Sequence, residues 1–146
     1  KLQDKLASLA LKTVAGEASS KTGRKNSRKT FIFTANDPGF ESISFEFGKK
    51  LTVLTAQTRD GERVIPCGFG VWEKSRLPVM SMKPEPVAAS GAWVAPDHYQ
   101  VRLCATETPY IQQLDFQFKE DELLFDLKYN VSFGSRAWEQ LRAKRK

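Results

Sequence analysis

The chain has 146 residues, 40% hydrophobic, 11% aromatic and 27% charged, with a formal net charge of +6. That length suits one domain burying roughly 70% of its unfolded surface; the apolar content excludes intrinsic disorder, and no apolar run nears the ~20 residues of a membrane helix. Two cysteines exclude a disulfide-dense scaffold and a four-cysteine zinc site, and the single histidine, His98, argues against a histidine-rich metal centre, so neither metal nor cofactor is expected.

Residues 1–12 carry Leu2, Leu6 and Leu9 at i, i+4 and i+7, which predicts a short amphipathic helix. The chain opens on Lys1 with no signal segment after it, and is read as a piece cut from a longer protein. Residues 15–29 are small, polar and basic and read as a connector, so 1–29 is expected to be a linker helix plus polar connector. Residues 1–30 hold eight basic and two acidic side chains, and residues 136–146 hold five and one, whereas the middle is net acidic. A nucleic-acid groove would interleave its cations with aromatics, but the run Lys21–Lys29 contains no aromatic residue. It is expected to be a solvated loop, and no nucleic-acid partner is expected.

From Thr30 the apolar period becomes two. Ile43, Phe45 and Phe47 alternate with Ser42, Ser44 and Glu46, and Gly48-Lys49-Lys50 turns into a strand through Leu51 and Val53. Asp60-Gly61 signals a hairpin with both central residues at positive φ. Further strands are expected at Arg63–Ile65, Phe69–Trp72, His98–Ala105, Leu114–Phe118 and Leu123–Tyr129, with a tight turn at Glu120-Asp121. Residues 74–90, containing Pro78, Pro84 and Pro86, read as one long loop. The segment from Met80 to Ala92, with Val79, Met82 and Val87, is a candidate contact surface. Residues 136–146 read as a basic tail, with Arg136–Leu141 a candidate short helix.

Short connections between one-faced strands predict an all-β fold over 30–135: an antiparallel barrel or barrel-like sandwich, lipocalin-like, of about eight strands.

No constellation of nucleophile, base and oxyanion hole is legible, so no catalytic residue is assigned. Lys21-Thr22-Gly23 matches a motif of penicillin-recognising serine enzymes, but no Ser in the chain has Lys three residues later. His98 lacks a Cys or Ser partner, and Asn130-Val131-Ser132 is a glycosylation sequon inside an apolar stretch. Trp72 and Trp93 are candidates for a sugar-stacking platform or for core packing. Arg102 and Glu107 are candidates to pair with each other or with a partner. Cys67 and Cys104 are either two buried thiols or one disulfide.

Cys67-Gly68-Phe69-Gly70-Val71-Trp72, Ala89-Ser90-Gly91-Ala92-Trp93, Val101-Arg102-Leu103-Cys104 with Glu107-Thr108-Pro109-Tyr110, and Tyr129-Asn130-Val131-Ser132-Phe133-Gly134 occur in that order. Together they resemble the C-terminal accessory domain of class C-like and esterase-like serine hydrolases of the beta-lactamase family. The resemblance implies a non-catalytic module that packs on, and stabilises or shapes, the catalytic serine-hydrolase domain of the same polypeptide. It also implies a bacterial periplasmic or secreted protein. The rival expectation is an independent small-ligand or carbohydrate-binding β-barrel, because barrels of about eight strands hold one small ligand.

Overall fold

The structure is a computed structural model that describes residues 13–35, 39–77, 84–105, 111–129 and 140–146. Helix α1 (Lys21–Asn26) precedes ten strands: β1 (Thr30–Phe33), β2 (Phe40–Glu46), β3 (Leu51–Thr58), β4 (Gly61–Gly68), β5 (Glu73–Leu77), β6 (Glu85–Ala95), β7 (His98–Ala105), β8 (Ile111–Lys119), β9 (Glu122–Tyr129) and β10 (Leu141–Arg145). The helix expected at 1–12, Glu107 and the sequon lie outside the described residues, as does the loop's central part from Val79 to Met82.

Sheet order β4-β3-β2-β1-β10-β9-β8-β7-β6-β5 is antiparallel throughout, and a parallel bridge between Gly68 of β4 and Ser90 of β6 closes nine of the strands into a barrel. The outer edge of β6 is divided among three partners. β5 pairs along Glu85–Ala89, Gly68 bridges to Ser90, and Glu17 exchanges two backbone hydrogen bonds with Trp93, at 2.8 and 2.9 Å. Closure in this way consumes a strand edge that would otherwise template aggregation. All-β architecture and the lipocalin-like barrel are therefore as expected, with nine strands in the ring rather than about eight.

Alternation decides the interior. Phe31 and Phe33 of β1, Ile43 and Phe45 of β2, and Tyr99, Val101 and Leu103 of β7 all point inward. Each large apolar side chain so buried contributes about 1.5–3 kcal/mol of transfer free energy. On β3 the inward set is Thr52, Leu54 and Ala56, so Leu51 and Val53, the residues that mark the strand in the sequence, point outward. A one-residue register choice exchanges the faces, and pairing with Gly68 and Pro66 settles it here. Pro66 fits because the Thr58–Gly61 hairpin makes Val53–Pro66 a non-hydrogen-bonded pair, so the missing N–H faces the open edge of β4.

Four further expectations are corrected. The hairpin exists, but Gly61, with φ 125°, carries the positive dihedral and Asp60 does not. Phe69–Trp72 is a turn: a Cβ on Gly68 would collide with the carbonyl oxygen of Val71, which shows how tightly the chain reverses. The expected long loop contains β5 and β6, in which Pro86 pairs with Arg76 while Val87, Ala88 and Ala89 are buried. Finally, 141–145, expected within a basic tail, is β10, inserted between β1 and β9 with Ala143 buried and Arg142 and Lys144 outward. The alternation is there in Leu141-Arg142-Ala143-Lys144, but the flanking charges mask it.

Candidate functional site

The expected solvated loop at Lys21–Lys29 forms the lid of one barrel end. Ser20 caps α1, its Oγ accepting from the Gly23 N–H at 2.9 Å, and Arg24 and Lys25 sit in the last turn where the helix dipole favours cations. Six residues do not hold a helix by themselves, so tertiary contacts supply the stability. Thr22 donates to Asp97 in the β6–β7 turn at 2.7 Å, and Ser27 Oγ accepts from the Phe47 N–H at 3.1 Å. Asn26 is buried: its Nδ2 donates to the Thr22 carbonyl and its Oδ1 accepts from Arg145 of β10. Lys21-Thr22-Gly23 is thus helical, not the strand element its catalytic reading requires.

Beneath α1 lies a cavity of about 290 Å3, lined by Ser19, Ser20, Gly23, Arg24, Ser27, Phe47, Gly48, Lys49 and Trp93. Its apolar wall is Phe47 and Trp93, whose ring centroids are 5.0 Å apart. Gly23 is required, because a Cβ there would lie 2.7 Å from Cζ2 of Trp93. Trp93 is 2% exposed, and its indole Nε1 is buried with no hydrogen-bond partner. Native structures rarely leave such a donor unsatisfied.

Below the cavity, aromatic rings meet across the barrel axis. Phe45 of β2 touches Phe116 of β8 at 4.9 Å and Tyr99 of β7 at 6.3 Å between centroids. Both partners are four strands away around a nine-stranded ring, as far as a strand can be, so these rings close the lumen at that level. The Tyr99 hydroxyl is held well above its usual pKa, by burial first and by neighbouring Cys67, against a hydrogen bond with Thr52. It stays a neutral phenol.

Of the candidates read from sequence, Trp93 lines the cavity and Trp72, in the turn before β5, does not. Arg102 sits half-buried on the outer side of β7, between Ser90 and Gln113. Cys67 and Cys104 form no disulfide; both are free buried thiols, Cys67 inside the barrel core and Cys104 opposite Ala88 on the other face of the sheet. Burial pushes the Cys67 thiol up to about 12, and raises Cys104 as well, so neither is a nucleophile at neutral pH.

His98 does have a partner, Asp115, at 2.7 Å on the outer face of β7 and β8. Gln100 and Gln113 donate to the same carboxylate at 2.9 and 3.0 Å. Burial pushes the Asp115 carboxyl upward, but the hydrogen bonds from Gln113, Gln100 and His98 and the imidazole charge together hold it below the usual range. No hydroxyl or thiol among the described residues hydrogen-bonds to this pair. Sequence reasoning missed α1, Phe47, Arg24 and Lys49 as lining residues; only Ser20, a good N-cap, signalled the helix.

No family model matches the chain, and no curated protein sequence does. Among solved structures, a fatty acid-binding protein from brain tissue of Drosophila melanogaster, determined without citrate inside, is similar over 83% of this chain and 99% of its own, with a TM-score of 0.58 and 10% identity. The fatty-acid-binding protein isolated from Manduca sexta is similar over 82% and 98%, with a TM-score of 0.58 and 9% identity. At these identities the likeness establishes the fold alone.

It also overturns the hydrolase resemblance. The matched chains are single-domain barrels covered almost end to end, so the fold needs no catalytic serine-hydrolase domain as partner, and no hydrolase family model is matched. The periplasmic or secreted bacterial placement rested on that resemblance and falls with it. The segments behind that resemblance are explained by barrel geometry. Gly68 and Gly91 sit where a Cβ would collide with Val71 and with the Tyr99 hydroxyl. Such glycines and aromatics recur at strand ends of unrelated barrels. No described helix is long and apolar enough to cross a membrane.

Proposed function

We propose that the protein is a small-ligand-binding barrel that holds a compact, partly apolar ligand beneath α1, at the closed end and not along the axis. One observation carries this reading: a cavity of about 290 Å3 beneath α1 has the rings of Phe47 and Trp93 as its apolar wall. That volume lies just below the roughly 300–1,000 Å3 usual for small-molecule sites, which suits a compact ligand. The two structural neighbours are named as fatty-acid-binding proteins, which supports a binding role for the scaffold. A long acyl chain entering from beneath α1, however, would meet the Phe45–Phe116 contact. Carbohydrate stacking on a Trp72–Trp93 platform is disfavoured, because Trp93 is almost wholly buried.

Calorimetric titration with compact naphthalene compounds (2-naphthoate and 2-naphthol) and with palmitate tests this. The naphthalene probes should bind one to one, and Ser19→Trp, which fills the mouth from an exposed position, should remove that binding. Palmitate saturation that is unchanged by Ser19→Trp would place the ligand elsewhere and overturn the proposal.

A further inference from the structure

We infer that residues 1–12 dock as an amphipathic helix on the outer wall of the barrel, over Ala88 of β6 and Cys104 of β7. Ala88, Ser90 and Ala92 alternate with the core residues Val87, Ala89 and Trp93, so they face away from the interior. That side of a barrel ordinarily meets water. All three are nonetheless buried, at 6%, 0% and 1% exposure, and Cys104, which pairs with Ala88, is 9% exposed.

The residues before α1 cover part of this strip. Glu17 is bridged to Trp93, and a Cβ on Gly16 would collide with the Trp93 carbonyl oxygen and lie 3.2 Å from the Ala92 Cβ. The Val14 N–H donates to Ser90 Oγ at 3.2 Å, and Val14 is itself 3% exposed. Followed backward from Glu17, the chain leaves the edge of β6 at Trp93 and crosses its outer face to Ser90. Ala88 is the next outward residue beyond Ser90, so the buried strip continues past the place where Val14 sits. The chain that reaches that place is residues 1–12.

The segment has the pattern such a seat requires. At helical spacing Leu2, Leu6 and Leu9 form one apolar stripe, while Asp4, Ser8 and Lys12 group on another side. A helix this short does not hold alone in water, so its stripe needs an apolar surface. The small side chains of Ala88, Ser90 and Cys104 let it approach the sheet closely. Twelve helical residues measure about 18 Å. The stretch of β6 from Ser90 back to Glu85 measures about 17 Å, so the segment is long enough to cover the strip. Its tether through Thr13 to the seated Val14 holds it there at high effective concentration, which no separate partner matches. The same run continues through Glu17 to Ser19 and Ser20 at the cavity, so the docked segment holds the lid from outside.

Thiol labelling of the full chain tests this, because Cys104 reports on the seat and Cys67, inside the core, reports on the barrel. Leu2→Asn/Leu6→Asn/Leu9→Asn removes the apolar stripe and leaves the rest of the chain intact. With labelled peptides identified by mass spectrometry, the wild type at pH about 8 should label at neither cysteine. The triple variant should label at Cys104 at least about tenfold faster, with Cys67 still silent. Equally slow labelling of Cys104 in both proteins, or rapid labelling already in the wild type, overturns the proposal. If the variant exposes both thiols, the barrel itself has opened, and methyl NOEs of the wild-type full chain decide. The Ala88 methyl should then show cross-peaks to leucine methyls of residues 1–12. Cross-peaks from Ala88 only to residues 106–110 or 130–139, or to no segment outside the sheet, overturn the proposal.

Discussion

Arg145 of the last strand donates from Nη1 to Oδ1 of Asn26 in the lid helix at 3.1 Å, joining groups 119 residues apart in the chain. Asn26 is 2% exposed and spends its Nδ2 on the Thr22 carbonyl, so the bond satisfies a buried amide that no neighbour in sequence reaches. The lid and the closing strand are therefore parts of one unit. Asn26→Ala and Arg145→Ala should each cost about 1–3 kcal/mol, and the double variant clearly less than their sum. Urea unfolding of the four proteins measures this, and strict additivity would show the two residues to be uncoupled.

Removing residues 141–146 tests the strand itself. β10 bridges β1 and β9, and its loss opens two ladders at once. The truncated chain should show no cooperative thermal transition, whereas a dispensable basic tail would leave the transition in place.

Gly23 gives a prediction of sign. In an ordinary helix interior Gly→Ala stabilises by roughly 0.5–1 kcal/mol. Here the added methyl would press on Cζ2 of Trp93, 2.7 Å away. Overpacking of that kind costs about 1–3 kcal/mol, so Gly23→Ala should lower the melting temperature by about 3–8 °C. A rise on calorimetry would mean that α1 does not pack on the indole.

Asp115 makes stability depend on acid. Its folded carboxyl titrates below the usual range, so its contribution is complete above the unfolded value of about 4 and disappears as the pH falls through the lower folded value. Wild type should exceed Asp115→Ala in urea stability near neutral pH, and the gap should shrink in strong acid. A gap of constant size across that range would refute the role given to the hydrogen bonds from Gln113, Gln100 and His98.

The two thiols should be silent. With Cys67 pushed up to about 12 and both sulfurs buried, Ellman's reagent should label neither in the native protein at pH about 8, and both in guanidinium. The melting temperature should not respond to reductant. Rapid native labelling, or a reductant-sensitive melt, would contradict the assignment of two separated free thiols.

Local pattern was enough for the fold class. Alternation such as Tyr99-Gln100-Val101-Arg102-Leu103 names a strand with one wet face, and several of these joined by short turns can bury their apolar faces only by curling on one another. The aromatic interior and the reverse turns at Asp60-Gly61 and Glu120-Asp121 followed from the same reading. Where burial depends on a partner far along the chain, the pattern was silent or misleading. Helix α1 is polar and basic with a glycine inside, and it forms because Trp93, Phe47, Asp97 and Arg145 receive it. β10 carries charges on alternate residues, and Ala143 is buried only because β1 and β9 flank it. The short family-like segments around Gly68 and Gly91 reflect the local demands of barrel closure, not descent from a hydrolase module. The cavity is the extreme case, since its walls come from residues 19–27, 47–49 and 93. The unpartnered indole N–H of Trp93 is likewise visible only once the barrel has closed around it, because a missing hydrogen bond is a property of packed three-dimensional neighbours and leaves no trace in the order of residues.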